Sequence, residues 1–170
     1  SNSEIAHNIW EMFFDAPKII GEYKGAGQFI NILVEESWTH PLRRPMSIAS
    51  VQDEKVSIIY KIFGDVTKKL SKKESGDNIE ILGPLGNTFT NWNKESYPIL
   101  VGGGVGLPPM LNLKSECEFN QIDHSIIIGA RNSSEHFITH DPENNIILTT
   151  DDGSLGESGT VMNPIDRIIK

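Results

Sequence analysis

The chain has 170 residues, and its 15 basic and 23 acidic side chains give a formal charge of −8. This length allows one medium-sized domain or two small ones, and the acidic balance argues against a nucleic-acid-binding surface, which usually shows clustered lysine and arginine. No apolar run approaches the roughly 20 residues that span a bilayer, and no signal peptide is recognisable, so we expect a cytoplasmic protein without membrane contact.

The first half of the chain has short, β-rich apolar runs separated by turn-forming residues. We predict strands over residues 9–14, 29–34, 46–49, 56–63 and 78–82, and a short helix over residues 67–74. Strands at this spacing are typical of a small antiparallel barrel or sandwich. The sequence Gly83-Pro84-Leu85-Gly86 is expected to form a turn that closes the last of these strands.

Strands and helices alternate in the second half. We predict strands over residues 98–101, 125–129 and 146–150, a helix over residues 107–119 and a short helix over residues 135–140. This alternation favours a parallel, doubly wound sheet. The polar segment 91–96 separates the halves, so we expect a first domain over residues 1–94 and a second over residues 95–170.

A glycine-rich turn, Gly102-Gly103-Gly104-Val105-Gly106, joins the first predicted strand of the second half to its helix. Glycines let the backbone approach a pyrophosphate, and the following helix offers free N–H groups and a positive dipole end. Gly104 and Gly106 fit the dinucleotide-binding pattern G-x-G-x-x-G, but Pro109 stands at its third glycine. A tight turn without a ligand is the alternative interpretation.

A second motif, Arg43-Arg44-Pro45-Met46-Ser47, enters a predicted strand of the first half. An arginine at this position can pair with a phosphate through its planar guanidinium, and the serine can offer its hydroxyl to a ring heteroatom. Taken alone, two arginines before a proline are more often a surface turn. The single cysteine, Cys117, is expected to be a buried small residue, and the histidines form no metal-binding pattern, so we predict no metal site.

The order and spacing of these motifs resemble one family. Arg-Pro-x-Ser, then Gly-Pro-Leu-Gly, then Gly-Gly-Gly-Val-Gly-x-Pro-Pro is similar to the ferredoxin–NADP reductase superfamily, and most of all to the electron-transfer subunits of bacterial dihydroorotate dehydrogenases. Gly27-Gln28-Phe29 and Gly129-Ala130-Arg131-Asn132 agree with the same resemblance, which covers nearly the whole chain. It implies an N-terminal antiparallel β-barrel that binds flavin, followed by a parallel doubly wound α/β nucleotide-binding domain that is truncated at its C-terminus.

The resemblance also implies which residues hold the cofactors. The flavin adenine dinucleotide (FAD) would contact two strand segments and the pair that replaces the family's Gly-Thr: Arg44, Pro45, Met46, Ser47, Ile59, Tyr60, Lys61, Val66 and Thr67. The nicotinamide nucleotide, NADH or NADPH, would contact the glycine turn and an arginine, supported by the Gly-Pro-Leu-Gly turn: Gly103, Gly104, Val105, Gly106, Arg131, Gly83, Pro84, Leu85 and Gly86.

The function implied is electron transfer from NAD(P)H through FAD to a catalytic redox subunit of the dihydroorotate dehydrogenase type, in pyrimidine biosynthesis. Family members continue into a Cys-Gly-Pro strand and a segment that holds a [2Fe–2S] cluster; this sequence ends at Lys170, so we expect no cluster in it and a weakened nicotinamide site. The alternatives are an electron-transfer subunit of a hydrogenase or sulfide dehydrogenase, and a nucleotide-binding module without turnover. Homo-oligomerisation stays open.

Overall fold

The structure is a computed structural model that describes residues 1–35, 38–52, 54–90 and 92–169. The first half contains strands β1 (Asn2–Ala6), β2 (Ile9–Asp15), β3 (Phe29–Leu33), β4 (Arg44–Gln52), β5 (Lys55–Lys61) and β6 (Glu80–Leu85), with helices α1 (Pro17–Glu22) and α2 (Asp65–Leu70). The second half contains β7 (Ile99–Gly103), α3 (Leu107–Phe119), β8 (Ser125–Ala130), β9 (Ile146–Thr150), β10 (Glu157–Ser158) and α4 (Met162–Ile168).

The first six strands form one antiparallel sheet in the order β1-β2-β5-β4-β3-β6. Alternate residues of its strands point into one core, as the period of two in a strand requires. Ile30 and Ile32 of β3 and Ile58 of β5 are fully buried there, and Leu70 of α2 packs against them. Over the described residues β1 and β6 do not pair with each other, so this curved sheet is open along that side.

The last four strands form a parallel sheet in the order β10-β9-β8-β7. One of its two inner strands, β8, contains Ile126, Ile127 and Ile128, and all three are buried. A continuous apolar run of this kind is typical of a parallel strand that is covered on both faces.

Helix α3 connects the two sheets, because it packs against β7 on one side and β4 on the other. Its Asn112 is buried and donates hydrogen bonds from Nδ2 to Tyr23 Oη (2.7 Å) and to the Ile48 carbonyl (3.1 Å). Burial raises the pKa of Tyr23 to about 12, so this phenol stays neutral at physiological pH. Glu116 Oε1 accepts a hydrogen bond from the backbone N–H of Ala26 at 2.5 Å. The helix therefore fixes the two halves against each other through buried polar contacts.

The predicted fold class is confirmed: an antiparallel sheet is followed by a parallel α/β unit. Every predicted strand overlaps an observed one, and the helix over residues 107–119 is α3, with the predicted bounds. The division at residue 94 stays a prediction; it falls in the connection between β6 and β7, of which Asn91 lies outside the described residues.

Several expectations about single elements were wrong. The helix predicted over residues 135–140 is absent: residues 133–135 form one 3₁₀ turn and no helix follows, because tertiary hydrogen bonds hold Glu135 and His136. Gly83, Pro84 and Leu85 belong to β6 rather than to a turn, since Leu85 pairs with Phe29.

Other element bounds moved, and some elements had not been predicted. The helix predicted over residues 67–74 is α2, which begins and ends earlier. Strand β4 is longer than the predicted 46–49, and β5 ends before Phe63. The sequence patterns did not indicate β1, α1, β10 or α4. Among the described residues, no helix is long and apolar enough to cross a membrane.

Candidate cofactor-binding cleft

The larger candidate site is an open cleft of about 710 Å³ on the antiparallel sheet. Ligand pockets are commonly about 300–1,000 Å³, so this volume suits a sizeable organic ligand. It is lined by the ends of β4 and β5, by the loop that leads into α2 and by the tip of the glycine turn: Gly27, Phe29, His40, Arg44, Pro45, Met46, Ser47, Ile59, Tyr60, Lys61, Phe63, Gly64, Asp65, Val66, Thr67 and Val105. All nine residues predicted for the flavin line this one cleft.

The two neighbouring arginines have different surroundings. Arg43 forms an ion pair with Glu80 of β6. Arg44 donates from Nη1 to the carbonyl oxygens of Leu42 (2.9 Å) and Arg43 (3.4 Å), and within the described residues it has no carboxylate partner. The guanidinium of Arg44 is therefore a cation at the wall of the cleft that is available to an anionic ligand.

The hydroxyl groups of two predicted contacts are already engaged by the protein. Thr67 Oγ1 accepts a hydrogen bond from the backbone N–H of Phe63 at 2.7 Å and donates to the Gly64 carbonyl at 3.3 Å. Tyr60 Oη donates to Asn2 Oδ1 at 2.9 Å, and burial raises the pKa of Tyr60 to about 12. Tyr60 is only 4% exposed and packs in the core of the antiparallel sheet, so its ring presents little surface to the cleft. Thr67 stabilises the loop before α2.

The structure adds residues to the cleft that sequence reasoning missed. Phe63 lines it with 91% of its surface exposed. The positive φ of Gly64 (85°) ends the strand and turns the chain there; this glycine was the signal in the sequence that Phe63 does not belong to a strand. His40 lies between two carboxylates, with Nδ1 3.9 Å from Glu35 Oε1 and Nε2 4.0 Å from Asp65 Oδ2.

A second, smaller cavity of about 30 Å³ lies where the two sheets meet. It is lined by the end of β5, the glycine turn, the end of β8 and the segment after it: Ile9, Ile59, Tyr60, Lys61, Gly104, Val105, Leu107, Ile128, Gly129, Ala130, Glu135, His136 and Phe137. Lys61 and Val105 line this cavity and also the larger cleft. We call the place where the two spaces meet the junction.

The glycine turn follows β7 as predicted, but its hydrogen-bond donors differ from the expectation. Gly104 has a φ of +54°, and the chain makes one 3₁₀ turn before α3 begins. Pro108 and Pro109 occupy the first turn of α3 and carry no N–H. The expectation that this helix offers a set of free N–H groups was therefore wrong, and donors for a phosphate would come from the glycine turn itself.

The remaining predicted residues lie outside both spaces. Gly83, Pro84 and Leu85 are in β6, and Gly86 supports the cleft wall from behind: with a φ of +80°, a Cβ there would lie 3.0 Å from the ring of Phe29. Gly103 and Gly106 flank the tip of the glycine turn, and Arg131 is exposed just beyond the end of β8. None of these three residues lines the cleft or the smaller cavity.

An ion pair between the two halves of the chain lies at the junction. Lys61 Nζ of β5 donates to Glu135 Oε1 of the 3₁₀ turn at 2.6 Å, which links the antiparallel sheet to the parallel half. The hydrogen bond from Lys61 holds the pKa of Glu135 below its ordinary value of 4.5, and the charge of Arg131 acts in the same direction. Neither the pair nor its place could be read from the sequence.

Comparison with known proteins gives first the class of fold. No protein-family model matches the chain. The NADH-dependent reduced ferredoxin-NADP oxidoreductase studied for flavin-based electron bifurcation has a TM-score of 0.83 and 25% identity, over 100% of this chain and 62% of its own. A cytochrome P450 reductase from Amycolatopsis has a TM-score of 0.81 and 17% identity, over 100% of this chain and 56% of its own. The architecture is that of ferredoxin–NADP reductase-like proteins.

Curated relatives narrow this class. The dihydroorotate dehydrogenase B (NAD(+)) electron transfer subunit of Bacillus pumilus is 37% identical over 173 residues, which covers 98% of this chain and 67% of the relative. The subunit of the same name from Fusobacterium nucleatum is 32% identical, over 98% of this chain and 66% of the relative. The chain belongs to the family of dihydroorotate dehydrogenase B electron transfer subunits, and it spans about two thirds of the length of these relatives.

Proposed function

We propose that this chain binds FAD in the larger cleft and NADH at the junction, and that it passes electrons from NADH through the flavin to a catalytic subunit of the dihydroorotate dehydrogenase type. One observation carries the proposal. The residues predicted for the flavin and the glycine turn predicted for the nicotinamide nucleotide are far apart in the sequence, yet Val105 of that turn lines the same cleft as Arg44 and Ser47. The names of the curated relatives support the same function.

The residues of the cleft fit a flavin dinucleotide. Such a ligand combines a flat apolar ring with a negatively charged pyrophosphate. The cleft offers a large exposed aromatic side chain, Phe63, and the partly exposed apolar residues Met46 and Ile59. It also offers the guanidinium of Arg44, whose charge no carboxylate neutralises in the described part of the chain. Size, apolar walls and one available cation are what specific binding of this ligand requires.

The protein would contribute orientation rather than acid–base catalysis. FAD and NADH, when bound, themselves supply the hydride-transfer chemistry. The phenol of Tyr60 is neutral, buried and hydrogen-bonded to Asn2, so it stabilises the sheet beneath the cleft rather than acting as an acid or base. Arg44 would anchor the pyrophosphate, and Gly104 and Gly106 would leave room for the second nucleotide to approach the backbone. Holding two reactants in a fixed geometry is a large part of the rate advantage of such proteins.

The proposal is tested on the purified chain with added FAD. After unbound FAD is removed, the absorbance spectrum is recorded before and after addition of NADH without oxygen. We expect flavin bands that bleach with NADH, and turnover of an artificial electron acceptor. Flavin bands that persist in NADH would replace the proposal with a binding module without turnover. A chain that retains no flavin would contradict it altogether.

A further inference from the structure

Lys61 and Glu135 form an ion pair at the junction, and the proposed binding of the two cofactors gives no reason for it. Lys61 is the last residue of β5, and Glu135 lies 74 residues later, in the turn after β8. Lys61 lines the flavin cleft and the smaller cavity, whereas Glu135 lines only the smaller cavity. The two halves of the molecule thus share a charge pair at the edge of the candidate flavin site.

The turn that carries Glu135 is held in place independently of this pair. The backbone N–H of His7 donates to the Ser134 carbonyl at 2.9 Å, which ties the turn to the antiparallel sheet. Asn132 Oδ1 accepts hydrogen bonds from both the N–H and the hydroxyl of Ser134, and Ser133 N–H donates to Ser154 Oγ at 2.8 Å. The carboxylate of Glu135 is therefore presented to Lys61 by a pre-organised turn.

The burial of the pair makes its electrostatic effect larger than that of a surface ion pair. The side chain of Glu135 is 15% exposed and that of Lys61 is 32% exposed. Charges in such partly buried positions are less screened by water and salt than exposed ones. Arg131 is the other charge that acts on Glu135. Within the described residues, Lys61 has no carboxylate partner besides Glu135.

We propose that Glu135 is a positioning residue that holds the ammonium group of Lys61 at the junction and neutralises its charge beside the flavin, so that the nucleotide-binding half of the chain sets the electrostatic potential of the flavin site. This inference rests on the proposed function. Without the carboxylate, Lys61 would present an unpaired positive charge to the cleft. That charge would favour a ligand with two phosphates, and it would favour the electron-rich form of the flavin over the oxidised form.

The test compares Glu135→Gln with Glu143→Gln in the FAD-reconstituted chain. Both variants lose one negative charge from the second half, but Glu143 is exposed on a different turn and forms no ion pair with a described residue. We expect Glu135→Gln to lower the dissociation constant for FAD about threefold to fivefold and to raise the midpoint potential of the bound flavin. We expect Glu143→Gln to change the dissociation constant by less than about 1.5-fold, since exposed charges are screened.

A second set of variants separates charge from simple structural support. In a Lys61→Met background, Glu135→Gln should no longer tighten FAD binding, because the charge that it releases is gone. The inference would be overturned if Glu135→Gln and Glu143→Gln changed the dissociation constant for FAD and the midpoint potential equally. It would also be overturned if Glu135→Gln weakened FAD binding and lowered the midpoint potential. If the unmodified chain binds no FAD, the proposed function itself is wrong. If the unmodified chain binds FAD but Glu135→Gln changes neither FAD affinity nor midpoint potential, the proposed function stands and only this inference is wrong.

Discussion

The two candidate nucleotide-binding regions of this molecule are built in different ways. The flavin cleft is a space of about 710 Å³ whose walls come largely from β4 and β5, two strands that hydrogen-bond to each other. The cavity beside the glycine turn is about 30 Å³, and its walls come from both sheets. The first region is thus defined mainly by one sheet, with Val105 as its contribution from the second half, whereas the second region depends throughout on how the two halves pack.

This difference has a consequence for how substitutions act. A change in the flavin cleft should affect flavin binding without affecting the rest of the molecule. The junction, in contrast, depends on helix α3, whose Asn112 donates hydrogen bonds to Tyr23 and Ile48 of the first half. We therefore expect the two halves to unfold together even though their sites respond to different substitutions.

The largest expected effect comes from core truncation in each half. Ile58 of β5 and Ile127 of β8 are both fully buried. Replacing either by alanine removes packed atoms and leaves a cavity, so each should lower the free energy of unfolding by about 2–5 kcal/mol. Because α3 joins the sheets, each should shift a single transition in chemical denaturation followed by fluorescence and circular dichroism.

The control is Phe119→Ala, which truncates a side chain that is 88% exposed and should cost less than about 0.5 kcal/mol. Two separate transitions, with Ile58→Ala moving one and Ile127→Ala the other, would show that the halves are independent units.

The next effect concerns the flavin cleft alone. Arg44→Ala should raise the dissociation constant for FAD about 10-fold to 100-fold, as expected for the loss of hydrogen bonds to a charged group. Arg43→Ala is the matched control, because Arg43 is paired with Glu80 and does not line the cleft. Titration of FAD by fluorescence quenching measures both. Equal losses in the two variants, or unchanged binding in Arg44→Ala, would remove Arg44 from the site.

A smaller effect is expected at the glycine turn. No atom lies within 4 Å of the position that a Cβ on Gly106 would take, and its φ of −84° suits alanine, so Gly106→Ala should change the free energy of unfolding by about 1 kcal/mol or less. Under the proposed function the nucleotide approaches the backbone of the glycine turn, so a methyl group on Gly106, beside the lining residues Gly104 and Val105, should obstruct it and raise the dissociation constant for NADH about tenfold. Gly21→Ala, which also adds a methyl group in open space but on α1, is the control. NADH binding that is unaffected in Gly106→Ala would place the nucleotide elsewhere.

The smallest effect is the pH dependence of the junction. The pKa of Glu135 is lowered in the folded chain, chiefly by the hydrogen bond from Lys61. A lowered pKa means that the ionised carboxylate stabilises the fold above pH 4.5 and that this stabilisation is lost as the pH falls through the folded-state value. The difference in unfolding free energy between the unmodified chain and Glu135→Gln should be about 1 kcal/mol or less at pH 7 and should vanish in acid. A difference that grows on acidification would contradict this sign.

The sequence predicted the parts of the fold and of the candidate site that depend on neighbouring strands or on a local apolar pattern. The Arg-Pro-Met-Ser and Ile-Tyr-Lys segments were assigned to one site, and they line one cleft because β4 and β5 are hairpin neighbours. Buried Ile126, Ile127 and Ile128 formed a continuous apolar run that indicated a covered parallel strand. In both cases local pattern and tertiary structure agree.

The failures occurred where tertiary contacts decide the conformation. The pattern of residues 135–140 was compatible with a helix. The structure instead has an ion pair between Glu135 and Lys61, and His136 Nε2 lies 3.1 Å from the Thr149 carbonyl, so these residues do not form a helix. Gly83 to Leu85 looked like a turn because glycine and proline are frequent in turns, yet pairing with β3 extends β6 through them. No pattern within a single sequence could have indicated these partners, which are remote along the chain.

The most direct test of the central claim is a crystal structure of the chain with FAD and NAD⁺. We expect density for the flavin ring against Phe63, with its pyrophosphate at Arg44, and density for the nicotinamide nucleotide beside Val105 at the junction. Flavin density in the cleft without nucleotide density at the junction would support the flavin site and contradict the nicotinamide site. FAD bound away from Arg44 would contradict it.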